Sequence, residues 1–253
     1  MSNKKRIFQL IFITIVGCGL VHSGFNTQVE AASSISPSLS IGLPHEGALK
    51  NGEVLPSTGD GYRLMQTARD RRARFGVVEL VQLIKQSTFR VYLNHKGAKA
   101  AVGDLSKRTG GEFEHHASHQ NGRDVDFAFY ILNVKGKSIS SNEMIPFDKN
   151  GFSIEPPMKY RFDVERNWAL VQELAESHKV AVQWIFVAGH LENLLLEHAA
   201  NAGVSAQTIA RAEQMMKQPS KNSHFDHFHI RIYCPANDKP HCKDFGPRWA
   251  WYR

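Results

Sequence analysis

Thirteen histidines are spread over 253 residues, yet six of them fall in two short segments. "EHHASHQNGRDVDFAFY" (114–130) carries His115, His116 and His119; "NSHFDHFHIRIYC" (222–234) carries His224, His227 and His229. Neutral imidazole and carboxylate are groups that zinc accepts, and catalytic zinc keeps three protein ligands with one position open. His119 and Asp126 can supply two of them, with Gly122 between them allowing the chain to turn sharply. His227 and His229 are two apart. On a strand they share a face, while Phe228 and Ile230 face the core. One of the two can complete the metal set. The other is then within reach of substrate, as base or electrostatic stabiliser.

A single histidine reads most simply as a surface or satisfied core residue. Two same-face imidazoles beside an apolar face, together with an HxxHxxxxxxD cluster, do not. His116 suits a ligand, a group that orients a ligand, or a substrate contact. His224 lies out of phase with the later strand and approaches from the preceding loop, to stabilise an oxyanion or substrate carboxylate or to face solvent. Asp124 shares a face with Asp126 and suits a fourth ligand or a group that orients one. His178, His190 and His198 read as structural. Ser118 beside His119 invites a Ser–His–Asp triad, but no nucleophile-elbow glycines flank it.

The elements that must position these groups are short and irregularly ordered. Val77–Gln86 has helical spacing, and "DVDFAFYIL" alternates as a strand with Val125, Phe127 and Phe129 on one face and Asp124 and Asp126 on the other. "AKAAVGDL" reads as a short strand before a glycine-rich loop. Asp163 is placed to cap a helix with Val164, Trp168, Val171 and Ala175 as its buried stripe. "VAVQWIFVA" is a buried strand, "LENLLLEHAANAG" a helix ending near Gly203, and "HFHIRIYC" a third, alternating strand. This order predicts an α+β fold, with a small, mainly antiparallel sheet, helices packed around it and long loops. Residues 32–60, rich in Ser, Pro and Gly, read as an extended lead-in with one short strand, and residues 61–253 as one domain. Arg69, Arg71, Arg72 and Arg74 read as a solvated basic surface, with docking of an anionic polymer as the alternative.

The formal net charge of +7 and 42% hydrophobic content describe a basic globular protein, suited to a polyanionic partner. Lys4, Lys5 and Arg6 followed by "IFQLIFITIVGCGLV" read as an export signal over residues 1–31. Two processing points fit: after Ala31 in "VEA", or at Cys18 in "IVGC", where the cysteine would carry a lipid and attach the protein to a membrane. Cys234 and Cys242, exported and eight apart, are expected to form a disulfide. The export signal and the lack of a phosphate-gripping motif argue against a nuclease, so no nucleic-acid partner is expected.

The two segments resemble the lysostaphin-type and D-alanyl-D-alanine metallopeptidases, with HxxxxxxD and a later HxH. The closer resemblance is to the penicillin-insensitive murein endopeptidases. It extends through "SIG" (40–42), "RRARFG", "GDLSKRTGGEFEHHASHQNGRDVD" and "HFDHFHIRIYCP", in order. This similarity implies a zinc endopeptidase in the periplasm or cell envelope that cuts peptidoglycan cross-links at D-alanyl–diaminopimelyl bonds, and also diaminopimelyl–diaminopimelyl bonds. It implies zinc on His119, Asp126 and His229, with His116 also matching a family histidine. It makes His227 the catalytic histidine, His224 its support, and Cys234 and Cys242 the family's pair after the last strand. Arg123 departs from the pattern, standing where the family usually has an apolar residue. The rival expectations are a non-catalytic murein-binding module of the same fold and an envelope peptidase acting on another peptide.

Overall fold

The structure is a computed structural model that describes residues 37–155, 158–220 and 223–252. The export-signal reading and Cys18 lie outside the described residues. The strands are β1 (Leu39–Leu43), β2 (Glu46–Lys50), β3 (Glu53–Val54), β4 (Tyr62–Leu64), β5 (Phe75–Gly76), β6 (Ala100–Val102) and β7 (Asp124–Ala128), then β8 (Ile131–Asn133), β9 (Ser138–Ile139), β10 (Tyr160–Phe162), β11 (Val182–Phe186), β12 (Met216–Lys217) and β13 (His227–Ile232). The helices are α1 (Gln66–Asp70), α2 (Val78–Asn94), α3 (Val164–Ala175), α4 (Gly189–Asn201) and α5 (Ala206–Met215). Among the described residues no helix is long and apolar enough to cross a membrane.

The central sheet has the order β12-β11-β13-β7-β6-β4. Its middle pairings, β11–β13, β13–β7 and β7–β6, are antiparallel; the two edge pairings are parallel. The chain is therefore α+β with a mainly antiparallel sheet. Strand alternation explains how this sheet is used. Val125 and Phe127 of β7 and Phe228 and Ile230 of β13 are almost completely buried in the core, with Leu170 and Val171 of α3 and Leu191 of α4 in the same cluster. The other face of the same strands carries Asp124, Asp126, His227, His229 and Arg231. The register pairs His229 with Asp126 and Arg231 with Asp124.

The helices start where local chemistry allows. The Asp163 carboxylate accepts from the Arg166 backbone N–H and caps α3, as the sequence suggests. Trp168, Val171 and Ala175 are buried, while Val164 is only partly so. α2 lacks a side-chain cap from its own N-cap residue; instead Ser38 Oγ accepts from Val78 N at 2.9 Å.

Three sequence expectations change. The lead-in holds more than one short strand: β1 and β2 form a hairpin, and β3 pairs with β5. The run "DVDFAFYIL" is two strands in different sheets. Asn167 breaks it, its side chain accepting from Tyr130 N and donating to Tyr130 O at 3.0 and 2.9 Å, which removes both groups from a ladder. The basic stretch is not all solvated surface, because Arg71 pairs with buried Asp104 at 2.7 Å.

Candidate metal centre

Asp126 is the hub. It is buried on β7, and four imidazole nitrogens approach its carboxylate. His119 Nε2 lies 3.3 Å from Oδ1; His227 Nε2 and His229 Nδ1 each lie 3.7 Å from the same oxygen. His116 Nδ1 lies 3.7 Å from Oδ2. The ring centroids of His116 and His119 are 4.2 Å apart, and those of His119 and His229 are 4.6 Å apart. Two segments about a hundred residues apart in the chain thus meet at one carboxylate.

Each of these four rings has its second nitrogen held elsewhere. His116 Nε2 is 2.8 Å from Asp104 Oδ2, and His119 Nδ1 is 3.0 Å from the Leu105 carbonyl. His227 Nδ1 is 2.6 Å from Asp226 Oδ1, and His229 Nε2 is 2.9 Å from Asp124 Oδ1. An acceptor at one nitrogen places the proton there and leaves the lone pair of the other free. All four lone pairs then face Asp126. This is the arrangement by which proteins orient histidine ligands.

Asp124 organises the loop as well as the strand. Its Oδ2 accepts from His119 N at 3.1 Å, while Oδ1 also accepts from Arg231 Nε at 2.6 Å. That first bond holds His119 in a left-handed conformation, with φ +66°, and His224 has φ +59°. Such values are uncommon outside glycine and cost on the order of 1–2 kcal/mol per residue. Gly122 turns at φ +79° between His119 and the strand.

His119 Nε2 and Asp126 Oδ1 are buried and without a hydrogen-bond partner. Orphaned buried polar atoms are costly and rare, and a cation between them satisfies both. The ligand atoms of His116, His119 and Asp126 all lie within 4.8 Å of one another. The residues therefore fit a divalent metal, and their imidazole and carboxylate chemistry suits zinc. Without a cation the charges compensate differently. Burial opposes charge on His119, but the Asp126 carboxylate outweighs it and raises the imidazole pKa to about 9. Burial likewise works against the Asp126 carboxylate, yet His119 and His227 hold its pKa far below the usual range. Burial pushes His229 down to about 4, against its bond to Asp124. His227 is raised, because Asp126 and Asp226 overcome its burial.

His224 stands at 5.1 Å from His227 and 5.6 Å from His229, ring centroid to centroid. Burial, and then the neighbouring His229 and His227, push its pKa down to about 3. Its Nδ1 is buried and unpartnered. A cleft of about 710 Å³ opens over these groups, with Met65, Arg71, Met144, Phe186, Pro219 and Arg231 among its walls.

The seven histidine and aspartate residues singled out in the sequence meet here: His116, His224, His227, His229 and Asp126 line the cleft, and His119 and Asp124 are fully buried beside them. Of the carboxylates behind the rings, sequence reasoning singled out Asp124 as a group that orients a ligand and missed Asp104 and Asp226. Asp104 follows β6 by two residues and Asp226 directly precedes His227; a carboxylate at a strand end beside a candidate ligand was the available signal. Cys234 and Cys242 are joined by a disulfide just after β13. Arg123 does not reach the cleft. It is fully buried and donates to the Ile232 and Lys243 carbonyls and to Asp244, so it ties down the C-terminal segment.

A family model described as penicillin-insensitive murein endopeptidase matches residues 40–248. The penicillin-insensitive murein endopeptidase of Klebsiella pneumoniae subsp. pneumoniae is 28% identical over 217 residues, covering 82% of this chain and 70% of that protein. Proteins of the same description from Salmonella arizonae and Salmonella paratyphi C are each 26% identical over 209 residues, covering 81% of this chain and 69% of theirs. The match runs from the first hairpin to beyond the disulfide and takes in every group around Asp126, and on that extent this chain belongs to the penicillin-insensitive murein endopeptidase family.

Proposed function

We propose that this protein is a zinc-dependent endopeptidase of the cell envelope that hydrolyses peptide cross-links of murein. Its bonds are D-alanyl–diaminopimelyl, and diaminopimelyl–diaminopimelyl as well. The observation that carries the proposal is the convergence of four oriented imidazole lone pairs on the buried Asp126. His119, Asp126 and His229 would hold the metal, with His116 adjoining on the other carboxylate oxygen. The export-signal reading places the protein in the periplasm, soluble or attached through a lipid on Cys18.

When bound, zinc supplies Lewis acidity toward a carbonyl and acidifies water. The chain's own residues supply proton transfer and orientation. His227 Nε2 faces the carboxylate hub while Asp226 fixes its Nδ1, so Nε2 can take the proton of the attacking water and return it to the leaving amine. His224 stands on the other side of His227 as a neutral imidazole and offers an N–H to the developing oxyanion. No glutamate in an HExxH helix is present to act as base. No serine acyl-enzyme is involved, which leaves a β-lactam nothing to acylate.

Purified murein dimers digested with the protein and separated by mass test this. Monomers appearing in proportion to bound zinc are expected. Dimers bound but left uncut would favour a docking module of the same fold. No binding and no cleavage would point to a different envelope peptide.

A further inference from the structure

The amide nitrogen of a D-alanyl–diaminopimelyl cross-link sits on a carbon that also bears a free carboxylate. A cleft that cuts this bond must place that carboxylate close to its reacting centre. Resting on the function proposed above, we infer that Arg71 is the residue that recognises the carboxylate on the amine side of the scissile bond.

Position is the first ground. Arg71 Nη1 lies 2.7 Å from Asp104 Oδ2, and that same oxygen lies 2.8 Å from His116 Nε2. One carboxylate therefore separates the guanidinium from a ring that faces Asp126. Capacity is the second. A guanidinium presents a planar fork that matches a carboxylate with two parallel bonds. Asp104 engages one arm, and among the described residues no other acceptor holds the group. The Arg71 side chain is 38% exposed on the cleft, whereas Asp104 is buried and fixed. Met65 and Met144 line the same cleft.

The other arginine of the cleft is less accessible. Arg231 Nε bonds Asp124 Oδ1 at 2.6 Å, its guanidinium lies 5.5 Å from the Phe186 ring centre, and its side chain is only 16% exposed. Its Nε bond holds the sheet side of the site together, while Arg71 is the more exposed of the two. Arg71 closes α1, on the wall that also carries Thr67. A substrate anchored there would lie across the histidines, with its amine side toward His116 and α1.

The test compares two murein dimers that differ at one group: the diaminopimelyl carboxylate beside the scissile bond is either free or converted to its primary amide. The wild-type protein and the Arg71→Gln and Arg71→Lys variants are assayed on both, with zinc content and melting temperature measured on the same preparations. The wild-type protein should prefer the free acid. Arg71→Gln should lower kcat/KM for the free acid by about 10- to 100-fold, mainly through KM, and change the amide by less than about threefold. Arg71→Lys should fall between, because it keeps the charge and loses the fork. Equal losses on acid and amide, or loss of zinc with the substitution, would reduce Arg71 to a support for Asp104 and overturn the inference. A wild-type protein that cuts neither dimer would instead overturn the proposed function itself.

Discussion

His229 Nε2 lies 2.9 Å from Asp124 Oδ1, between adjacent strands and across 105 residues of sequence. This bond decides which nitrogen of His229 carries the proton. It leaves Nδ1 to face Asp126, the residue paired with His229 in the β7–β13 ladder. Asp124 also holds the His119 backbone and Arg231, so one buried carboxylate sets two of the rings around the hub.

His229 and His227 should therefore separate cleanly. His229→Ala is expected to lose zinc and murein-dimer cleavage together. His227→Ala should keep close to one zinc per chain and lose about 10²- to 10⁴-fold in kcat, the usual contribution of a general base. Metal analysis and turnover on the same samples measure both. A His227 variant that stays active would remove the base role assigned to it.

The carboxylates behind the rings should matter almost as much as the rings. Asp124→Asn is expected to weaken zinc affinity by about 10- to 100-fold, since it keeps its shape but loses the charge that fixes the His229 tautomer. Titration against a competing chelator reads this directly. Asp226→Asn should instead leave affinity near the wild-type value and lower kcat, because its partner is His227.

Removing the metal should make stability strongly pH-dependent. His119, raised to about 9, binds a proton in the folded protein that the unfolded chain has released above about 6.5. Its contribution is complete below 6.5 and is lost as pH rises toward 9. His229 and His224, held down to about 4 and 3, do the opposite. The unfolded chain binds their protons first, so stability falls as pH drops below 6.5 toward those values. Metal-free protein should therefore be most stable near pH 6.5, as measured by urea denaturation across pH. Zinc should flatten the alkaline side by displacing the His119 proton. A metal-free curve that keeps rising to pH 9 would contradict the His119–Asp126 pairing.

Arg123 should prove structural. Arg123→Met keeps most of the volume but strands the Ile232 and Lys243 carbonyls and Asp244. A loss of about 2–4 kcal/mol is expected in denaturant titration, in the range for breaking a buried charged contact whose partner keeps some exposure. Specific activity of the folded fraction and substrate preference should change little.

The residues at the centre of the site were legible in the sequence because strand alternation is local. Two histidines two apart share a face whatever the rest of the chain does, and so do Asp124 and Asp126. Turn chemistry at Gly122, the Asp163 cap and the helical spacing of α2 are local in the same way. The break at Tyr130 was not, because Asn167, 37 residues on, supplies the hydrogen bonds that end the strand.

The sequence by itself determined which groups share one face of the sheet: His227 and His229, Asp124 and Asp126, each by its phase on a strand. Only the tertiary structure decided what those groups touch. The β7–β13 register set His229 against Asp126, and the loop after β6 delivered Asp104 and Leu105 O behind His116 and His119. Packing also drew Arg71 to the cleft and buried Arg123 away from it. Hydrogen bonds and ion pairs between distant segments depend on where the backbone has already been carried by burial of its apolar face. No periodicity in a linear chain records that.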